Sequence, residues 1–186
     1  MLSPEDGPLR AWYEKRGITV TVLPSEPVKS VRDYRAAVGA VQESIVRWRA
    51  DVAFASTLRS VAAVDAARQA GIPSVWSVRE SEPWQTYFSY LPDNVARLAL
   101  DCFSAPYRVI FDSDACRSLF EVLNSRHNFS VIHTGLAPDR WSQEGNRRNR
   151  NDSRDALRLA PTDVMLLLVG TVCDRKGQED LIEALS

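Results

Sequence analysis

Between residues 18 and 133 short apolar runs alternate with longer stretches whose apolar positions recur every three to four residues. This is the pattern of strands in a parallel sheet joined by amphipathic helices. The runs at 18–23, 52–55, 74–78, 108–111 and 130–133 are the expected strands. Between the first two, Val31, Tyr34, Val38, Val41, Ile45 and Trp48 mark one face of a helix over 31–48. The alanine-rich stretch 58–70 reads as a second helix, and Ser113 is placed to cap a third that runs to residue 123. Gly17 and Gly71 each fall between a helix end and a strand start, where a left-handed backbone suits glycine. The expected fold class is α/β, a doubly wound parallel sheet.

The two ends break the pattern. Residues 2–9 read as a loop feeding a helix over 8–16, with no strand ahead of it, so the sheet is expected to lack its first strand. Residues 142–155 contain no apolar side chain and cannot bury enough surface to order themselves, so they read as a linker or exposed loop. Its Arg147, Arg148 and Arg150 suit a solvated segment. Beyond it come a short helical piece at 155–159, an apolar strand at 164–169 and a helix over 177–185. The expected organisation is a first domain at 1–141, a linker at 142–155 and the first βα unit of a second domain at 156–186, a chain truncated at both ends.

Composition narrows the function classes. With 186 residues, 45% of them hydrophobic, the chain has enough apolar content for one sizeable core. A formal net charge of −1 gives no global pull toward nucleic acid, so anion binding has to be local. Three widely spaced cysteines, Cys102, Cys116 and Cys173, make neither a disulfide framework nor a zinc pattern and fit a reducing cytosol. No apolar run approaches the roughly 20 residues that span a bilayer. Among the 23 basic residues only Lys15, Lys29 and Lys176 are lysines.

Lys176 lies in the most informative segment. The run Leu166-Leu167-Leu168-Val169 reaches Gly170, passes through a polar loop carrying Arg175, Lys176 and Gly177, and opens a helix. Such a strand–loop–helix offers amides and cations to an anion. It resembles the start of the C-terminal domain in family 4-type, retaining glycosyltransferases of the GT-B fold, where Val-Gly-Arg-x-x-x-x-Lys-Gly holds the diphosphate of a nucleotide sugar. Lys176 and Gly177 match that pattern, Thr171 stands in the arginine's place, and Arg175 offers a second cation. The resemblance implies donor-diphosphate contacts at Gly170, Thr171, Arg175 and Lys176.

Two further landmarks follow the family's order. Val131-Ile132-His133-Thr134-Gly135-Leu136-Ala137-Pro138-Asp139-Arg140-Trp141 resembles the Val-Ile-Pro-Asn-Gly-Val-Asp-x-x-x-Phe passage that closes the N-terminal domain. Gly135 is expected there in a tight turn with positive φ, and His133 replaces the usual proline in a structural role. The strand at 74–78 leads into Arg79-Glu80-Ser81-Glu82, where the family often has His-Glu-Ser-Glu with the histidine in the interdomain cleft. Arg79 takes that histidine's place; it cannot act as a base, but can contact a phosphate or an acceptor anion. The resemblance puts Arg79 and Glu80 at the cleft, with Glu82 and Gly135 on the acceptor side or crossover. A surface loop with charges is the plain alternative.

The resemblance therefore implies a Rossmann-like GT-B chain that moves a hexose from a nucleotide sugar to a glycan or lipid-linked acceptor, without metal or cofactor, in the cytoplasm or peripherally at the inner membrane face. Family members use two glutamates that would fall past residue 186, so no transfer is expected of the isolated chain. Two alternatives stay open. One is a non-catalytic remnant or binding module, favoured by Arg79 and Thr171. The other is a metal-dependent transferase built on Asp112 and Asp114, an Asp-x-Asp that also reads as a helix cap followed by an acidic first turn.

Overall fold

The structure is a computed structural model that describes residues 1–24, 26–135, 137 and 150–186. It divides into two compact units, Met1–Thr134 and Gly135–Ser186.

The first unit opens with β1 (Leu2–Ser3), α1 (Leu9–Glu14) and β2 (Thr21–Val22). The two strands pair in parallel, Leu2 opposite Thr21 and Ser3 opposite Val22. This corrects the expectation that no strand precedes the first helix. A two-residue strand ahead of Pro4 is too short for hydrophobic alternation to reveal, and backbone bonds such as Thr21 N–H to the Met1 carbonyl (2.9 Å) create it.

The main sheet follows: α2 (Val31–Trp48), β3 (Ala53–Ser56), α3 (Val61–Gln69), β4 (Ser74–Val78), α4 (Trp84–Tyr87), α5 (Asp93–Asp101), β5 (Arg108–Phe111), α6 (Asp114–Phe120) and β6 (Phe129–Val131). Its strands run β3-β4-β5-β6, every neighbouring pair parallel. The α/β, Rossmann-like reading of the sequence holds. Gly17 (φ 74°) and Gly71 (φ 69°) adopt the left-handed conformation expected between helix and strand.

Strand order explains the core. Parallel crossovers are right-handed, so an order without reversal puts successive helices on one face. On that face Ala55, Trp76, Val78, Val109 and Phe111 are buried against Leu58, Val64, Val95, Phe103 and Phe120. Phe103 is the hub, with its ring centroid 4.6 Å from Trp76 and 5.6 Å from Phe120. The opposite face carries Phe54, Ser77, Ile110 and Ile132, and Phe54 is 69% exposed.

In the second unit α7 (Arg150–Ala156) occupies residues expected to belong to the linker. Its side chains supply what a polar helix lacks in burial. Asp152 lies in the first turn and Arg154 in the last, matching the helix dipole. The Arg154 guanidinium donates to the carbonyls of Ala160 and Asp163, while the Asp163 carboxylate accepts from Ala160 N–H (2.7 Å). Residues 142–149 of the expected linker lie outside the described residues, as do Leu136 and residues 138–141 of the crossover passage. The apolar run 164–169, expected as a strand, forms no ladder with any described strand, and its side chains are exposed, Val164 to 85%. A loop and α8 (Gln178–Ala184) complete the unit.

Candidate functional site

In open parallel sheets ligands bind beyond the carboxyl ends of the strands. That edge of the main sheet holds an open cavity of about 330 Å³. Arg79 enters it just past β4, Asp112 just past β5, and His133 and Thr134 just past β6. Its wall is apolar, from Phe54, Ile110 and Ile132 on the uncovered face of the sheet. The strands thus bring Arg79, Asp112 and His133 to one cavity. Gly135 does not line the cavity, and its φ lies outside the left-handed region, so the tight-turn expectation for it is corrected.

His133 is oriented rather than merely near. Its Nδ1 lies 3.2 Å from the Asp112 carbonyl. A carbonyl can only accept, so Nδ1 carries the proton and a neutral ring keeps its lone pair on Nε2. The Arg79 guanidinium makes no ion pair among the described residues.

Glu80 is held by two backbone amides. One carboxylate oxygen accepts from Leu58 N–H (3.0 Å) and the other from Arg79 N–H (3.0 Å). The side chain ties the end of β4 to the loop after β3. That loop turns at Thr57, whose φ of 72° and ψ of 159° lie where β-branched residues rarely go. Thr57 N–H donates to the Ser77 carbonyl (2.8 Å), and its own carbonyl accepts from the buried indole N–H of Trp76 (2.8 Å). Neither the Thr57 conformation nor the Trp76 anchor is announced in the sequence, because threonine carries no preference for positive φ. Glu82, half-buried, makes no hydrogen bond or ion pair among the described residues.

Asp112 and Asp114 part company. Ser113 caps α6, its hydroxyl accepting from Cys116 N–H (3.1 Å), and Asp114 pairs with Arg117 at 3.5 Å on the same helix. Only Asp112 lines the cavity. Among the described residues no three His, Cys, Asp or Glu side chains gather as metal ligands.

In the second unit the terminal loop is braced from inside. Gln178 donates to the Thr171 carbonyl (3.1 Å) and accepts from Cys173 N–H (3.5 Å), joining both arms. Lys176 lays its methylenes along Gly170, where an added Cβ would meet Cδ at 3.5 Å. Gly177 turns the chain into α8 at φ 68°, and a Cβ there would meet the Asp180 carboxylate at 3.2 Å. The positive φ at Gly177 favours glycine there, while the contact at Gly170 is an ordinary one. The Lys176 ammonium makes no ion pair among the described residues, and the Arg175 side chain lies outside what the structure describes.

With this geometry in place, the architecture can be set beside solved structures. The chain is similar to Anabaena HepE, solved in complex with UDP and glucose, at 20% identity and a TM-score of 0.59, over 99% of this chain and 49% of that one. It is similar also to UDP-N-acetylglucosamine 2-epimerase from Rickettsia bellii, at 13% identity and a TM-score of 0.53, over 86% of this chain and 43% of that one. The fold is GT-B-like. The chain spans about half the length of these structures. No protein-family model matches it, and neither does any curated protein sequence. No helix among the described residues is long and apolar enough to cross a membrane.

Proposed function

We propose that this chain is the acceptor-side part and the first donor-side βα unit of a glycosyltransferase of the retaining, family 4 type, which moves a hexose from a nucleotide sugar to a glycan or lipid-linked acceptor in the cytoplasm. The observation that carries the reading is the cavity at the carboxyl ends of β4, β5 and β6, which joins Arg79, Asp112 and His133 in a GT-B-like sheet. Both similar structures are named for UDP or a UDP sugar, which fits a donor of that class.

In this reading the Lys176 loop neutralises the departing diphosphate, with Gln178 holding the loop in shape. Arg79 supplies a fixed positive charge at the acceptor cavity, since its guanidinium stays protonated. The proton acceptor there is His133 through Nε2, a role that Arg79 cannot fill. Glu80 acts as a positioning residue that holds the cavity rim. No metal takes part.

The test uses a chain extended by a complete donor domain and supplied with UDP- and GDP-hexoses and a mixed acceptor pool, with products read by mass spectrometry. Transfer that survives EDTA and falls at least tenfold in His133→Ala, about 1.4 kcal/mol of barrier, supports the reading. Transfer lost to EDTA turns attention back to Asp112 and Asp114. The second reading, a binding module without turnover, rests on Arg79 in the histidine's place and Thr171 in the arginine's. It gains if the extended chain binds donor yet transfers nothing.

A further inference from the structure

The cavity at the strand ends sets three kinds of chemistry side by side. Arg79 is exposed at its rim and makes no ion pair among the described residues, so its guanidinium offers a planar donor fork to an anion. Asp112 and His133 line the same cavity, and the carboxylate and the Nε2 lone pair are acceptors, which suits hydroxyl groups. The wall is hydrocarbon at Phe54, Ile110 and Ile132. A simple anion would meet the Asp112 carboxylate, and a neutral sugar would leave Arg79 without a counter-charge. One ligand answers all three groups when it carries an anionic group, hydroxyls and an apolar chain.

Size decides how much of such a ligand goes inside. A volume of about 330 Å³ lies at the small end of ligand pockets, roughly 300–1,000 Å³, so it takes a head group and leaves a long chain outside. The apolar wall continues out of the cavity over the uncovered face of the sheet. Ile132 is 61% exposed and Phe54 more so, and neither packs on the core. Val75, opposite Phe54 in the register, lies on that face too, and from Arg79 back to Val75 the strand covers about 13 Å. Exposed apolar surface of this kind marks a contact site, and this one has the cavity's arginine at one end. Cation and hydrocarbon track together match an amphiphile whose charge sits at its head.

We propose that the cavity and the sheet face beside it bind the acceptor as a sugar joined through phosphate to a hydrocarbon chain. The phosphate lies on Arg79, hydroxyls of the sugar on Asp112 and His133, and the chain over Phe54, Ile110 and Ile132. This rests on the transferase reading for the word acceptor, and it deepens that reading by choosing a lipid-linked glycan over a free one.

Octyl glycosyl phosphates of glucose, mannose, galactose and N-acetylglucosamine carry all three parts. The matching octyl glycosides lack the phosphate, octyl phosphate lacks the sugar, and the sugar 1-phosphates lack the chain. Each is titrated to about 5 mM, short of micelle formation, a range that reveals millimolar sites. Carbon-labelled isoleucine methyl groups report the site through Ile110 and Ile132, while Ile182 on α8, 66% exposed, reports indiscriminate contact with alkyl chains. At least one complete probe is expected to shift Ile110 and Ile132, to leave Ile182 in place and to bind at least tenfold more tightly than its partial counterparts. Arg79→Gln is expected to weaken that binding at least tenfold and to leave the octyl glycoside unchanged. Phe54→Ser is expected to weaken it about tenfold and to leave the sugar 1-phosphate unchanged. The proposal is overturned if no complete probe shifts both methyls, if Ile182 shifts alike, if a partial probe binds as tightly, or if Arg79→Gln changes nothing. It is overturned also if Ile110 and Ile132 move with protein concentration alone, which would assign the face to a second copy. Transfer by the extended chain to free oligosaccharides, with no shift by any complete probe, keeps the transferase and overturns the lipid; shifts without transfer keep the site and remove the transferase.

Discussion

Thr57 is the most constrained residue of the candidate site. A β-branched side chain at φ 72° and ψ 159° stores about 1–3 kcal/mol, and the surrounding hydrogen bonds hold it there. Thr57→Gly removes the strain, so urea denaturation is expected to show no loss of stability; a loss above about 1 kcal/mol would sink the strain argument. Glu80→Ala leaves the amide of buried Leu58 without its acceptor and is expected to cost about 1–3 kcal/mol in the same assay. Cys102 makes the third prediction at this scale. It is buried, its thiol donates to the Leu98 carbonyl (3.2 Å), and burial pushes it up to about 11 from 9.0. Between those values the unfolded chain loses the proton while the folded chain keeps it. Stability is therefore intact below pH 9 and falls as the pH rises toward 11. Urea midpoints measured across that window should flatten in Cys102→Ala, and an unchanged slope would count against it. What the sequence reveals at this scale depends on side-chain type. Gly17 and Gly71 announce positive φ, whereas Thr57 reaches it through contacts from residues about 20 positions away.

At the scale of elements, α2 shows how local chemistry fixes a boundary. Asp33 N–H donates to the Ser30 hydroxyl (3.2 Å), while that hydroxyl and Lys29 N–H donate to the Asp33 carboxylate (2.8 and 3.1 Å). The reciprocal pair stops the helix at Ser30, which makes its start legible in the sequence. The bonds from Ser30 and Lys29 hold the Asp33 carboxyl below 3.8. A depressed folded value means that this contribution is present above pH 3.8 and disappears as the pH drops through the lower folded value. Asp33→Asn is expected to remove that acid-side component, and Ser30→Ala to cost about 1 kcal/mol at neutral pH, both read by urea titration. Indifference of both variants would show that helix packing alone sets the boundary. The elements that composition misjudged depend on partners rather than on pattern. β1 exists because Thr21 and Leu23 bond to Met1 and Ser3, and α7 because Arg154 reaches two carbonyls past its own end. The run at 164–169 has the apolar character of a buried parallel strand, yet a strand needs a neighbouring ladder, and none of the described strands supplies one.

At the scale of the molecule, the order of landmarks along the chain made the GT-B-like fold legible, since strand ends carrying Arg79, Asp112 and His133 converge only in a parallel sheet. The Lys176 loop, on the donor side in the proposed reading, follows a different logic. The Lys176 loop is well braced, but it offers one described cation, and the acidic Glu179 and Asp180 stand in the first turn of the helix beside it. An exposed cation contributes on the order of 1 kcal/mol or less, whereas even 1 mM affinity requires about 4 kcal/mol. On the proposed reading the remainder has to come from a nucleoside and sugar pocket outside this loop. Calorimetry of this chain with UDP- and GDP-hexoses is therefore expected to show no micromolar binding. On that reading the loop is one wall of a closed site in a chain extended by a complete donor domain, where a desolvated charge is worth more. Lys176→Ala is then expected to weaken donor binding at least tenfold and to lower turnover while leaving the urea midpoint unchanged, because the ammonium makes no ion pair among the described residues. Micromolar binding by the 186-residue chain, or full activity of Lys176→Ala in the extended one, would place the diphosphate in another loop.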